Sequence, residues 1–134
     1  MKKTLALLII LVGLTIESFG QNFYFNAYSF AYRPHHKKKD YWLDWKKWKE
    51  CDIDITMDSD AGKIKINSKF YQEYNIIQIE GRKEIDGNDI TSFYCIDKNG
   101  IACRVKLVGR YNGGSEIYVE YKDIKWVYAV SSVK

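Results

Sequence analysis

From Cys51 to the C-terminus, apolar and polar residues alternate one for one, the spacing that puts successive side chains on opposite faces of a β-strand. Cys51, Ile53, Ile55 and Met57 are separated by Asp52, Asp54 and Thr56, and Ile64 and Ile66 alternate with Lys63 and Lys65. Between the two runs lie Asp58-Ser59-Asp60-Ala61-Gly62, so 51–66 reads as a β-hairpin. The run from Phe70 to Glu84 carries apolar residues in both parities, with Gly81 near its end, which predicts a bulge that changes register. Ile90 to Ile96 and Ile101 to Val108 form a second hairpin around Asp97-Lys98-Asn99-Gly100, where Asn-Gly predicts a tight primed turn. With either Ile96 or Lys98 opposite Ile101, Cys103 shares a face with even-numbered residues of the first strand and Cys95 points to the other face. Ile117, Val119 and Tyr121, then Ile124 to Val130, supply two more strands after the loop at Arg110–Gly114.

Upstream, Tyr28, Phe30 and Tyr32 alternate like a further strand. Tyr41, Trp45 and Trp48 stand at i, i+4 and i+7 and predict one face of a short helix capped by Asp40. The whole pattern is all-β: an antiparallel meander of about seven to eight strands with short connections. Closing the sheet removes its edges, so a small up-and-down barrel or half-barrel is expected, with a two-sheet sandwich as the alternative. The large interior candidates (Ile, Tyr, Trp) favour a barrel filled by side chains over one holding a ligand.

The first twenty residues follow a different pattern. Lys2-Lys3 precedes an apolar run from Leu5 to Ile16, and Ser18 and Gly20 then stand at −3 and −1 of a small-x-small site. This order reads as a signal-peptide helix cleaved before Gln21, hence export to the periplasm or beyond the cell. The run is shorter than the about 20 apolar residues a membrane span needs, and a lipid anchor at the cleavage point would need a cysteine there. The expected organisation is signal peptide 1–20, an aromatic and basic arm 21–49, and a β domain 50–134, with no transmembrane segment in the mature chain.

Composition matters mainly through its uneven distribution. The full chain has a net charge of +4, and the mature chain +3. Residues 33–49, however, carry seven cations against Asp40 and Asp44. Ten of the twenty mature aromatics lie between Phe23 and Trp48. So small a net charge does not imply a polyanion, and nucleic acid is not an expected partner. Three cysteines are an odd number for an exported chain. Cys51 and Cys103 both lie on apolar faces and could form a disulfide across a core, against an alternative in which all three thiols are reduced and packed.

Groups for catalysis are few. His35 and His36 are adjacent, beside Lys37-Lys38-Lys39, and point apart in an extended strand, so neither a metal site nor a Ser-His-Asp assembly is expected. Glu116 and Glu120 would be about 13 Å apart along a strand, beyond the spacing of glycosidase carboxylates. Asp52 and Asp54 point outward into water. The 58–62 turn resembles a calcium loop, but its glycine is one place early and Lys69 stands where the bidentate glutamate belongs. Nothing calls for a cofactor. The remaining candidate is the arm, where Trp42, Trp45 and Trp48 interleave with lysines; with Lys37, Lys38 and Lys39 they could stack on sugars and neutralise anionic groups. The competing reading has the tryptophans covering an open barrel end while the lysines solvate that cover.

The segments Trp45–Ile53, Ser92–Asp97, Cys103–Val105, Ile117–Tyr121 and Trp126–Tyr128 resemble a group of small exported proteins of Bacteroidetes-type bacteria, over about residues 45–130. That resemblance implies a similar architecture and export and carries over no functional residue. The expected function is a non-enzymatic binding or interaction domain for a small ligand, an anionic envelope glycan, a lipid or an envelope protein. A secreted enzyme or enzyme inhibitor, and a structural envelope component, are the alternatives.

Overall fold

In a computed structural model, residues 22–36 and 38–133 are described. The expected signal peptide, residues 1–20, and Lys37 lie outside them. Among the described residues nine strands follow in order: β1 (Asn22–His36), β2 (Tyr41–Trp42), β3 (Lys49–Asp58), β4 (Lys63–Ile66), β5 (Gln72–Ile85), β6 (Asn88–Asp97), β7 (Ala102–Gly109), β8 (Ser115–Glu120) and β9 (Ile124–Val133). Every pairing is antiparallel, and β1 pairs with both β3 and β9, so eight strands close into an up-and-down barrel. β2 adds a two-residue rung to the protruding end of β1.

The alternation predicts the interior well. Ile55, Met57, Ile64, Ile66, Tyr74, Phe93, Val105, Ile117 and Val119 are all buried in one cluster. Full burial of such side chains contributes roughly 1.5–3 kcal/mol each. The 51–66 hairpin turns where expected, with Asp58 Oδ1 accepting from Ala61 N at 3.1 Å. The expected irregularity in β5 is present twice, as register shifts at Ile76/Gln78 and Ile79/Gly81. β5 is also far longer than β4: it pairs with β4 over Gln72–Asn75 and beyond that with β6 alone.

Two local expectations fail. The β6–β7 turn is not a primed turn. Asp97 N donates to Ile101 O and Gly100 N to Asp97 O, and only Gly100 has positive φ, +81°. This is a type I turn closed by a glycine bulge. Its loop is one residue longer than a two-residue turn, so odd positions pair with odd, and Cys95 sits directly opposite Cys103 on the interior face. Both cysteines are buried, and all three thiols are free. Cys51 is also on the interior side and lies against the Ala27 carbonyl, Sγ to O 3.4 Å.

The second failure is the helix at 40–48. Leu43 N donates to Pro34 O and Lys46 N to Tyr32 O, so the arm runs back along β1 as irregular extended chain. The open edge of β1 offers ready backbone partners, whereas a helix this short must bear its nucleation cost for few bonds. Across the outer wall, Ala31, Val127 and Tyr118 stand in one cross-strand row. Trp45 reaches Tyr118, with ring centroids 6.1 Å apart, and so crosses over Ala31 and Val127. That cover explains why these two outward residues are only 1% and 2% exposed.

Candidate functional site

One end of the barrel collects the β4–β5 loop, the β6–β7 turn, the β8–β9 turn and the β1–β3 connection. Here the interior is not filled, contrary to the reading from side-chain size. A cavity of about 670 Å³ opens at this mouth, within the roughly 300–1,000 Å³ range of small-molecule sites. The rest of the barrel is packed around Phe93, Val105 and Ile117.

The cavity wall is aromatic. Trp126 and Tyr128 are successive interior residues near the start of β9, and Phe30 projects from β1 beside them. Phe30 lies 6.3 Å from both rings, centroid to centroid, and Tyr32 lies 5.3 Å from Trp126. The register of β1 is shifted between Ala27 and Ser29, which turns Phe30 and Tyr32 inward although Phe25 and Ala27 have the opposite parity. Tyr74 from β5 and Tyr121 from the end of β8 face each other lower down, 6.5 Å between centroids.

Polar groups hold the floor together. Tyr74 Oη donates to Gln72 Oε1, and Gln72 Nε2 donates to Tyr128 Oη at 3.3 Å and to Ser68 Oγ at 3.2 Å. Tyr121 Oη donates to Asp97 Oδ2 at 2.8 Å, while Asp97 Oδ1 accepts from Asn99 N and Ile101 N at 2.9 Å each. Partial burial alone would raise the Asp97 pKa, but the three donors outweigh it and lower it. Burial pushes the Tyr74 phenol well up, and burial with the Asp97 contact does the same for Tyr121, so both remain protonated donors at neutral pH. Glu73 at the rim is held by Lys63 at 3.1 Å and by the Tyr71 hydroxyl at 3.0 Å, and these contacts lower its pKa.

The residues singled out in the arm lie elsewhere. Trp42 sits on the outer wall beneath Lys125, whose Nζ is 4.5 Å from its ring centroid, with His35 edge-on at 5.0 Å. Trp45 covers the outer wall as described, and Trp48 is half exposed. Lys38 and Lys39 form a turn in which both backbone N–H groups donate to His36 Nδ1 at 3.2 Å. Trp42 and Trp45 therefore cover a side of the barrel rather than its end, and none of the described arm candidates lines the cavity. His35 Nε2 lies 3.1 Å from Asp40 Oδ1, and no cluster of three or more metal-ligating side chains exists among the described residues.

No motif in the sequence marks Phe30, Gln72, Tyr74, Tyr121, Trp126 and Tyr128 as a site. A signal was available: Gln72, Tyr74, Trp126 and Tyr128 fall on interior positions at the ends of strands that terminate at the same rim, with Tyr121 one residue beyond β8. The Cys51–Cys103 disulfide is not formed: both thiols are free, and the residue directly opposite Cys103 is Cys95. No family model matches the chain, and none of the curated proteins or solved structures gives a match.

Proposed function

We propose that this protein is a non-enzymatic binding barrel that takes one small organic ligand in its aromatic mouth. The observation that carries the reading is the cavity itself, about 670 Å³, in an otherwise packed barrel. A void of this size bordered by Phe30, Trp126 and Tyr128 leaves apolar surface wet, and a ligand that covers it gains the corresponding hydrophobic free energy. Binding is favoured over turnover because the acidic groups at the mouth already have structural tasks. Asp97 closes a turn and anchors Tyr121, and Glu73 is tied to Lys63. A general base must be free to take a proton, and these carboxylates are held in their ionised state by their donors. With the leader expected from residues 1–20, the barrel would work outside the cytoplasm.

Trp126 is the only one of the four tryptophans in the cavity wall. Titration with small aromatic and aliphatic compounds should therefore shift the protein's fluorescence through Trp126. The Trp126→Phe variant should lose the response, while Trp42→Phe, Trp45→Phe and Trp48→Phe should keep it. A response carried by the arm tryptophans instead would move the site to the outer wall and overturn the assignment.

A further inference from the structure

Charge at the mouth is not balanced in the way its composition suggests. Two carboxylates and two lysines line the cavity: Asp97 and Glu73, Lys69 and Lys98. Both carboxylates are engaged, Asp97 by three donors and Glu73 by Lys63 and Tyr71. Neither lysine is paired with a carboxylate among the described residues. Each instead rests on an exposed ring, Lys69 Nζ 5.9 Å from the Phe70 centroid and Lys98 Nζ 5.4 Å from that of Tyr71. Phe70 and Tyr71 are themselves poorly covered, Phe70 being 77% exposed. Exposed cation–π contacts of this kind are weak, about 0.5–1 kcal/mol, so an anion can recruit both ammonium groups at little cost.

Lys98 lies in the β6–β7 turn but reaches the ring of Tyr71 in the β4–β5 loop. The two loops therefore meet, and both cations belong to one side of the lip. The opposite wall is Phe30 and Trp126, without a charge. The mouth thus has an apolar interior and a one-sided cationic rim.

From this polarity we infer that the ligand is an amphipathic organic anion, its apolar or aromatic body in the cavity and its acidic group at Lys69 and Lys98. The inference rests on the binding function proposed above and specifies the ligand's chemistry. A neutral ligand would leave both cations without a counter-charge, and an ammonium head would meet them as like charges. Two exposed charge contacts together are worth about a fivefold gain in affinity at physiological salt, most of it lost at high ionic strength.

The test uses two probes with the same aromatic body. One is 8-anilinonaphthalene-1-sulfonate, and the other is its uncharged parent, N-phenyl-1-naphthylamine. Both are titrated by fluorescence into the protein, its Trp126→Phe variant and a Lys69→Gln/Lys98→Gln variant. The sulfonate should bind about fivefold more tightly than the parent at physiological salt. That preference should disappear in the double-lysine variant while the parent's affinity stays unchanged, and dodecanoate should displace the sulfonate. Equal affinity of the two probes, or a sulfonate preference that survives the double substitution, overturns the anion assignment and leaves the cavity as a binding site. If neither probe binds and energy transfer from Trp126 to the probe is absent, the binding function itself falls.

Discussion

Replacing Asp97 by alanine removes a carboxylate shared by three donors, two backbone N–H groups of the β6–β7 turn and the hydroxyl of Tyr121. The turn N–H groups are exposed, so water takes them over once the carboxylate is gone, and each bond counts for about 0.5 kcal/mol. The Tyr121 hydroxyl is half-buried and donates to a charge, which is worth about 1.5 kcal/mol. The variant should therefore lose about 2.5 kcal/mol of stability at pH 7. The sign of its pH dependence is fixed by the lowered folded-state pKa of Asp97. A depressed carboxylate stabilises above its unfolded pKa, about 3.9, and loses that contribution as pH falls through the folded value. Urea unfolding followed by tryptophan fluorescence should thus show the full deficit at pH 7 and a reduced one near pH 3. Tyr121→Phe alone should cost about 1.5 kcal/mol and should add nothing to Asp97→Ala, because the two side chains share one bond. A deficit below about 0.5 kcal/mol at pH 7, or one equal at both pH values, would refute this account of the turn and cavity floor.

Other expectations follow from the same geometry. Gly100→Ala places a Cβ at φ +81° and should cost about 1 kcal/mol in the same unfolding assay. Arg82→Met leaves Asp89, which is fully buried and 2.7 Å from the guanidinium, without its charge partner. The loss should be about 3 kcal/mol, largely recovered when Asp89→Asn is added. Burial pushes the Cys95 and Cys103 thiols up to about 12 and about 11. Iodoacetamide at pH 8 should accordingly modify Cys51 first and the other two only in denaturant, as read by peptide mass. Trp45→Ala uncovers Ala31 and Val127 and should cost about 2 kcal/mol while leaving probe binding in the cavity unchanged.

The parts of the fold that depend on alternation were legible residue by residue. Ile53, Ile55 and Met57, Ile64 and Ile66, Ile117 and Val119 all face inward as their spacing requires. What depended on a single inserted residue was not legible. The bulge at Gly100 moves the β6–β7 register by one, and with period-two side chains that step exchanges the faces and brings Cys95 opposite Cys103. Tyr41, Trp45 and Trp48 have helical spacing, but the edge of β1 competes for their backbone, a tertiary effect invisible in local pattern. The cavity was the least legible feature. Whether Tyr74, Tyr121, Trp126 and Tyr128 meet or leave a gap depends on strand tilt and on the shift that turns Phe30 inward, not on their volumes.

The mismatch between β4 and β5 has its own consequence for how the molecule behaves among its copies. Past Ile76, whose N–H donates to Gly62 O, the outer edge of β5 has no strand beside it among the described residues, and Ile77, Ile79 and Ile85 are exposed along it. Such an edge is a template on which a second chain can add a strand. Here the extra residues at Ile77 and Glu80 break its straightness, and Lys83 and Glu84 put exposed charge on the same strand. The irregularities that disturb the alternation of β5 thus also make its edge a poorer template for a second barrel.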